Sequence, residues 1–157
     1  MANYQKLQVS TALNIVPSDD ANIPFPNVVE TGVATSTVTN QLVDSAAEFE
    51  KLNVQTGDVV YNVTTQTTAT VNQVVDDSTL VLNSNFIASG DSYIIYRDNG
   101  KESCVLYIGT GGDLRVLTGS GQDVTFQNIL GGTFLPVQVL KVFETGTIGV
   151  EGIVALW

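Results

Sequence analysis

Hydrophobic and polar residues alternate along much of the chain in the pattern that is typical of β-strands. From Val33 to Asn40, alternate residues of an extended chain fall on opposite faces, and the threonines supply branched side chains that suit a pleated strand. Further short runs rich in Val, Ile, Leu, Tyr and Thr follow, with turn residues at their edges. These runs are Asp58–Thr64, Ala69–Val75, Ser78–Asn83 and Ser92–Asp98. Short strands at this spacing predict a small closed barrel of the SH3-like kind over residues 31–98.

One segment within this region has a helical pattern instead. Ser45–Leu52 follows Asp44, which like Ser45 is a good N-cap, and Glu48 stands near the third helical position. A segment of this length is not stable as an isolated helix, so one or two helical turns at most are predicted.

A second set of strands is predicted from residue 99 onward. Its members are Ser103–Thr110, Asp113–Gly119, Gln122–Asn128, Thr133–Thr145 and Glu151–Trp157. Gly119 and Gly121 allow the positive φ angles of a tight turn, so Leu114–Asn128 is predicted to form a β-hairpin. The run Thr133–Thr145 is apolar on both faces, which predicts burial on both sides or a subunit contact on one. Pro136 within it favours an edge position or a bulge.

The two ends of the sequence supply the candidates for contacts with other proteins. Val9–Val16 has the pattern of one short strand, and the prolines that follow favour an extended arm or loop over Pro17–Pro26. The apolar segment Ile153–Trp157 would fray unless it docked into its own core or into a neighbour. The candidate interface residues are therefore Pro17, Pro24, Phe25, Pro26, Phe134, Pro136, Ile153, Val154, Leu156 and Trp157.

Composition narrows the possible functions. The 157 residues are 43% hydrophobic and only 14% charged, so much of the surface is uncharged, which favours assembly as much as an ordinary turn-rich β protein. The formal net charge of −10 argues against binding DNA, because nucleic acid binding depends on Lys and Arg at the phosphates. No apolar run is long enough to span a bilayer, and residues 1–8 lack the apolar region of a signal peptide. The expected site of synthesis is therefore a cytoplasm.

The absence of histidine and the single cysteine make an enzyme the least favoured class. Without His there is no Ser-His-Asp triad and no Cys-His pair, and one thiol with carboxylates is a poor set of zinc ligands. Cys104 begins an apolar strand and is interpreted as a small core residue. No cofactor and no metal site is predicted.

Several short motifs have a functional and a structural interpretation. Gly109–Gly112 fits neither phosphate-loop spacing and is interpreted as a turn between strands. The pairs Asp19-Asp20 and Asp76-Asp77 lack the spacing of a calcium loop and are interpreted as turn residues. Aromatic side chains could stack on sugars, but packing in a core or an interface is the favoured interpretation. The aromatic candidates are Tyr93, Tyr96, Tyr107 and Trp157.

Ordered motifs near the two ends resemble the head spike-base and head-decoration family of tailed phages and gene transfer agents. They are an LYIGTGGD strand and turn at Leu106–Asp113, a Val-Thr-Phe strand at Val124–Phe126 and a Gly-Thr-Phe-Leu-Pro-Val step at Gly132–Val137. A Thr-Gly-Thr turn, the terminal Ile-Val-Ala-Leu-Trp and VPSDDANIP at Val16–Pro24 are also similar to the family. The intervening block is longer than in shorter relatives and resembles a β module of phage structural proteins.

The resemblance implies an all-β protein of two small sandwich or barrel units, with the SH3-like barrel inserted into the other unit. The expected domains are a spike-base-like unit over residues 1–30 plus 99–157 and an inserted barrel over residues 31–98. The implied function is a capsid decoration (cement) protein on the outer surface of the virion, which binds the major capsid protein and stabilises the head. The expected homo-oligomer is a trimer, or a pentamer at a vertex.

Two other functions remain open from the sequence. One is a head-vertex spike base or a tail or fibre adaptor, which would bind a fibre protein. The other is a carbohydrate-binding module for host recognition. Neither nucleic acid nor a membrane is an expected partner.

Overall fold

The computed structural model describes residues 9–98 and 102–157, and every regular element in these ranges is a β-strand. The first eight strands, β1 to β8, are Ala12–Asn14, Val28–Val33, Ser36–Val38, Gln41–Val43, Val59–Asn62, Thr67–Asp76, Thr79–Leu82 and Ser92–Tyr96. The last five, β9 to β13, are Cys104–Thr110, Gly112–Thr118, Asp123–Ile129, Thr133–Val142 and Glu151–Leu156. The prediction of an all-β fold is therefore confirmed. The described residues contain no helix of the length and apolarity needed to cross a bilayer.

The first sheet has six antiparallel strands in the order β1-β13-β9-β12-β10-β11. Alternate residues of its strands point to one side and form a hydrophobic core, as the period of two in the sequence requires. The buried members of this core are Cys104, Leu106, Ile108, Leu114, Val116, Leu135, Val139, Val142, Ile153 and Ala155. Cys104 is 1% exposed, in agreement with its interpretation as a core residue, and burial raises the pKa of its thiol to about 12.

The remaining seven strands form a second sheet, in the order β2-β8-β5-β6-β7-β4-β3. Its two outermost strands are consecutive in the chain, since β2 ends at Val33 and β3 begins at Ser36. Between them, the Ala34 N–H donates to the carbonyl of Asp91 and the Thr35 N–H donates to the carbonyl of Val43. Backbone hydrogen bonding therefore continues from the β2–β8 pair to the β3–β4 pair without a break. The sheet thus closes into the small barrel that the sequence predicts.

The barrel has its own hydrophobic core, and buried polar side chains fix its loops. Asn62 Nδ2 donates to the carbonyl of Phe86 at 2.9 Å and to Asp91 Oδ2 at 2.8 Å. The buried carboxylate of Asp58 accepts a hydrogen bond from Arg97 Nη1 at 3.0 Å. Because buried polar groups destabilise a fold unless they are paired, these bonds select one arrangement of the loops.

Some details of the strands and turns differ from the sequence-based expectations. The prediction of helical turns over Ser45–Leu52 is wrong, because the segment forms a series of tight turns that pack Phe49 into the barrel core. The strand expected from Val33 to Asn40 is divided between β2 and β3 at the corner of the barrel. Pro136 was expected at a sheet edge or at a bulge. It lies in an interior strand, where the register shifts between Leu135 and Val139 and so provides the bulge.

The turn expected at Gly109–Gly112 is a direct junction between β9 and β10, which only Gly111 separates, and its glycines have a packing reason. A Cβ atom on Gly111 would overlap the carbonyl oxygen of Ile129, and one on Gly112 would overlap the carbonyl oxygen of Ile148. Three segments of backbone therefore meet closely at this end of the first sheet, and only glycine leaves room for them.

The first sheet takes its strands from residues 12–14 and 104–156, whereas the barrel takes its strands from residues 28–96. A linker over residues 15–27 connects the two and is bonded to both. The Ser18 and Ile23 N–H groups donate to carbonyls of β12, and the carbonyl of Asp20 accepts hydrogen bonds from Thr70 Oγ1 and Asn83 Nδ2 of the barrel. The domain boundaries given above stay a prediction, with β2 already beginning at Val28.

Candidate protein-binding surface

The side of the first sheet that faces away from its core is also apolar. The cross-strand partners Val154, Tyr107 and Phe134 follow one another across β13, β9 and β12. A second row runs from Ala12 on β1 through Leu156 to Val105. We call this surface the outer apolar face and define it as Ala12, Val105, Tyr107, Phe134, Pro136, Val154 and Leu156.

Phe134 is the most exposed large side chain of the outer apolar face. It is 66% exposed, and its ring packs edge-on against Tyr107 with centroids 5.3 Å apart. Val105, Tyr107, Val154 and Leu156 are partly buried, because they cover one another. Aromatic and aliphatic side chains that stay together at a surface are typical of the centre of a protein interface.

The outer apolar face carries no charge, although the chain has 16 acidic residues. Within β1, β9, β12 and β13 the charged residues are only Lys141 and Glu151, and neither belongs to the face. A partner could therefore cover the face without removing a charged group from water, which would be costly if the group were left unpaired.

The candidate interface residues from the C-terminal half of the sequence separate into two groups. Phe134, Pro136, Val154 and Leu156 all belong to the outer apolar face. Ile153 points to the opposite side and is 3% exposed in the core, so its side chain is not available to a partner.

Trp157 also packs against the core rather than the outer apolar face. Its ring meets Phe25 at a centroid distance of 5.4 Å and an interplanar angle of 74°. The indole Nε1 is buried and has no hydrogen-bond partner in the part of the chain that the structure describes. This end of the chain is thus docked on its own fold, the first of the two expected alternatives.

The prolines of the segment that was expected to be an extended arm or a loop lie in the linker. Pro17, Pro24 and Pro26 are partly buried, as is Phe25. Because the linker is hydrogen-bonded to β12 and to the barrel, it is not a free arm that could reach out to another protein. These residues could contribute to an interface only through the atoms of their side chains that stay exposed.

Two residues at the centre of the outer apolar face were not among the candidate interface residues: sequence reasoning missed Val105 and named Tyr107 only as an aromatic residue of a core or an interface. The available signal was the run Cys104–Ile108, which is apolar without alternation and therefore predicts a strand covered on both faces. It also missed Leu130 and Ile148, which are 75% and 68% exposed and follow no strand pattern.

An ionic network lies on β10 and β11 of the same sheet. The Arg115 guanidinium is 4.4 Å from the ring centroid of Phe143 and forms an ion pair with Asp123. This ion pair lowers the pKa of Asp123 and raises that of Arg115. The carboxylate of Asp19 accepts hydrogen bonds from Thr145, which lower its pKa.

The described residues show no metal-binding arrangement. No group of three or more Cys, Asp or Glu in these ranges is placed to hold a metal ion. A cleft of about 420 Å³ opens between the linker, the barrel and the loop after β12, and it is lined mainly by hydroxyl and amide side chains.

Comparisons with known proteins give no relative for this chain. It matches no protein-family model, and no curated protein or solved structure is significantly similar to it.

Proposed function

We propose that this chain is a capsid decoration protein, which binds the major capsid protein on the outer surface of a phage head and has no catalytic activity. The observation that carries the proposal is the outer apolar face, an uncharged surface centred on Phe134 and Tyr107. The motifs of the C-terminal half that resemble the head-decoration family supply the identity of the partner.

The distribution of charge supports a protein partner rather than nucleic acid. With 16 acidic and 6 basic residues, the chain would repel a phosphate backbone. A capsid shell instead presents many copies of one site, so a modest affinity at each copy suffices when several decoration subunits act together.

The outer apolar face suits a contact with a rigid shell because its side chains need little ordering. Val105, Val154 and Leu156 project from strands that pair on both sides, and Tyr107 holds Phe134 through the ring contact. Prearranged side chains lose less conformational entropy on binding, which leaves more of the apolar burial as net affinity.

The test is binding of the purified chain to shells assembled from the major capsid protein of the same virus. Phe134→Ser should abolish co-sedimentation with the shells or weaken it at least tenfold. The matched control is Val63→Ser, which changes a side chain that is 42% exposed on the barrel and should bind as the parent chain does. Equal binding of both variants and the parent would contradict the proposed role of the outer apolar face. A parent chain that did not bind the shells would contradict the proposed decoration function.

A carbohydrate-binding module is the second candidate, and the structure narrows which aromatic residues could serve it. Tyr93 and Tyr96 are 1% and 7% exposed and cannot stack on a sugar. Tyr107 and Trp157 remain as partly exposed candidates, the first beside Phe134 and the second beside Phe25. Binding to a glycan array that is lost in Phe134→Ser, with no binding to shells, would favour this candidate.

A further inference from the structure

Strand β11 forms one outer edge of the first sheet, and its backbone has a defined free side. In the hairpin with β10, the Thr118 N–H donates to the carbonyl of Gln122 at 2.8 Å, which makes these two residues a hydrogen-bonded pair. Because such pairs alternate along an antiparallel ladder, Val124 and Phe126 direct their N–H and C=O groups towards β10. The backbone groups of Asp123, Thr125 and Gln127 therefore point away from the sheet.

The backbone of β10 independently supports this assignment. Arg115, the partner of Thr125 in the register, directs its carbonyl to β12, where it accepts a hydrogen bond from the Phe143 N–H at 2.9 Å. The Arg115 carbonyl is therefore directed away from β11 and does not bond Thr125. Within the described residues no other strand adjoins the far side of β11.

Most of this edge lacks the features that usually prevent strands from pairing between molecules, and its one bulge lies at the far end, between Phe126 and Ile129, where Asn128 has a φ of 54°. From Asp123 to Gln127 it has no proline and no lysine, and Asp123 at its end is neutralised by Arg115. The opposite edge, β1, is only three residues long, which limits the pairing that it could offer.

The sequence of β11 matches itself in one antiparallel register. If Thr125 stands opposite Thr125 of a second copy, Asp123 stands opposite Gln127, and no carboxylate faces another. Threonine pairs of this kind are favourable across strands. On the core side, the same register places Val124 opposite Phe126, and both side chains are only partly buried in the single chain.

We infer that β11 pairs antiparallel with β11 of a second copy of this chain, with Thr125 on the two-fold axis. The outward backbone groups of Asp123, Thr125 and Gln127 then form an additional ladder, and the first sheet continues from one chain into the next. The two copies of Val124 and Phe126 extend the apolar core across the junction.

An interface of this kind is isologous and closes at two chains. A trimer or pentamer, as expected from the sequence, would require a head-to-tail contact between different surfaces. The two available edges of the sheet are unequal in length, so β11 against β1 would leave part of β11 unpaired. Strand β11 against itself pairs all the outward groups from Asp123 to Gln127.

The test uses disulfide cross-linking of the full chain. In the inferred register the Cα atoms of the two Thr125 residues lie about 5.5 Å apart, within the range of a disulfide. Thr125→Cys should therefore give a covalent dimer under mild oxidation, whereas Thr31→Cys, at a threonine that is also exposed and lies on β2, should not. The native Cys104 is buried and contributes little background.

A second pair of variants tests the register. Asp123→Cys and Gln127→Cys should each cross-link poorly alone and should form a mixed dimer when the two chains are combined. Cross-linking of Thr125→Cys no better than Thr31→Cys, or a parent chain whose mass in solution is that of one or three chains, would overturn the inference.

Thr125→Lys separates this inference from the proposed function. Two lysines facing each other across the axis should shift the mass from two chains to one, and Thr31→Lys should not. A dimer that persists in Thr125→Lys contradicts the β11 interface. Binding to capsid shells uses the outer apolar face, so its loss in Phe134→Ser with the dimer intact would leave the inference standing.

Discussion

Arg115 donates two parallel hydrogen bonds to the carboxylate of Asp123, from Nε to Oδ1 at 2.9 Å and from Nη2 to Oδ2 at 2.7 Å. A third bond, from Nη1 to the carbonyl of Thr145 at 3.1 Å, ties β10 and β11 to the loop after β12. The planar guanidinium can form such a fork, whereas the point charge of a lysine cannot.

The first prediction follows from the lowered pKa values of Asp19 and Asp123, whose ordinary value is 3.8. A carboxyl whose pKa is lower in the folded state stabilises the fold above its unfolded pKa, and this stabilisation is lost as the pH falls through the folded pKa. The free energy of unfolding should therefore decrease as the pH falls below about 4.

Urea denaturation at a series of pH values between 7 and 3 measures this dependence. Arg115→Gln keeps a polar side chain but removes the cation, so the part of the acid dependence due to Asp123 should become smaller. An unchanged slope in Arg115→Gln would show that the ion pair contributes nothing to the pH dependence.

The second prediction concerns the buried pair in the barrel. The hydroxyl of Tyr93 donates to Asp44 Oδ2 at 2.7 Å, and burial together with this bond raises the pKa of the tyrosine. Tyr93→Phe leaves the carboxylate without this donor and should lower the free energy of unfolding by about 1–3 kcal/mol. The same change at the partly exposed Tyr61 should have little effect, and equal losses in the two variants would contradict the role of the pair.

The third prediction concerns the space beside the same pair. A Cβ atom on Gly32 would lie 2.5 Å from both the hydroxyl of Tyr93 and Oδ2 of Asp44. Gly32→Ala should therefore push the two side chains apart and lower the melting temperature. In contrast, the double variant Gly32→Ala with Tyr93→Phe should lower the melting temperature by less than the sum of the two single changes, because the crowded hydroxyl of Tyr93 is absent.

The fourth prediction distinguishes the two sides of the first sheet. Leu106 is fully buried and Phe134 is 66% exposed, although both lie on neighbouring strands. Leu106→Ala should lower the free energy of unfolding by about 2–5 kcal/mol, whereas Phe134→Ser should change it by no more than about 0.5 kcal/mol. A large loss in Phe134→Ser would show that this side chain serves the fold rather than a partner.

The fifth prediction concerns Trp157, whose buried indole Nε1 lacks an acceptor among the described residues. Trp157→Phe removes the unpaired donor and keeps an aromatic ring against Phe25, so stability should be retained or rise slightly. Trp157→Ala should lose about 3 kcal/mol through the missing contacts. Thermal unfolding of the two variants compares them directly, and a large loss in both would indicate that Nε1 has a partner after all.

The sequence was sufficient to predict the strands in which one face regularly meets a core. The β-branched and aromatic residues of Ser92–Asp98 and the turn glycines Gly119 and Gly121 identified strands that the structure contains, because one face of each strand meets a core. The same reasoning failed at Ser45–Leu52, where tertiary contacts of Phe49 prevailed over a plausible helix cap. The free energy of a helix cap and of helix propensity is small, so burial of an aromatic ring easily outweighs it.

Contacts between distant segments could not be derived in the same way. Nothing in the sequence indicates that Ser18 and Ile23 bond to β12, so the sequence left an extended arm and a loop both open for this segment. Likewise, the outer apolar face is formed by strands that are far apart in the sequence. Phe134, Val154 and Leu156 were recognised individually as apolar residues in unusual places, but only strand pairing brings them to Tyr107.

The linker determines how mechanical load would pass through the molecule. Tension applied to the barrel would reach β12 through the bonds of Ser18, Asp20 and Ile23, which are arranged along one short segment and hold both bodies at once. Several bonds would have to break together before the barrel could swing away. If such subunits cover a shell, as we propose, they would therefore resist its swelling as a stiff layer, and the barrel would keep its orientation under strain.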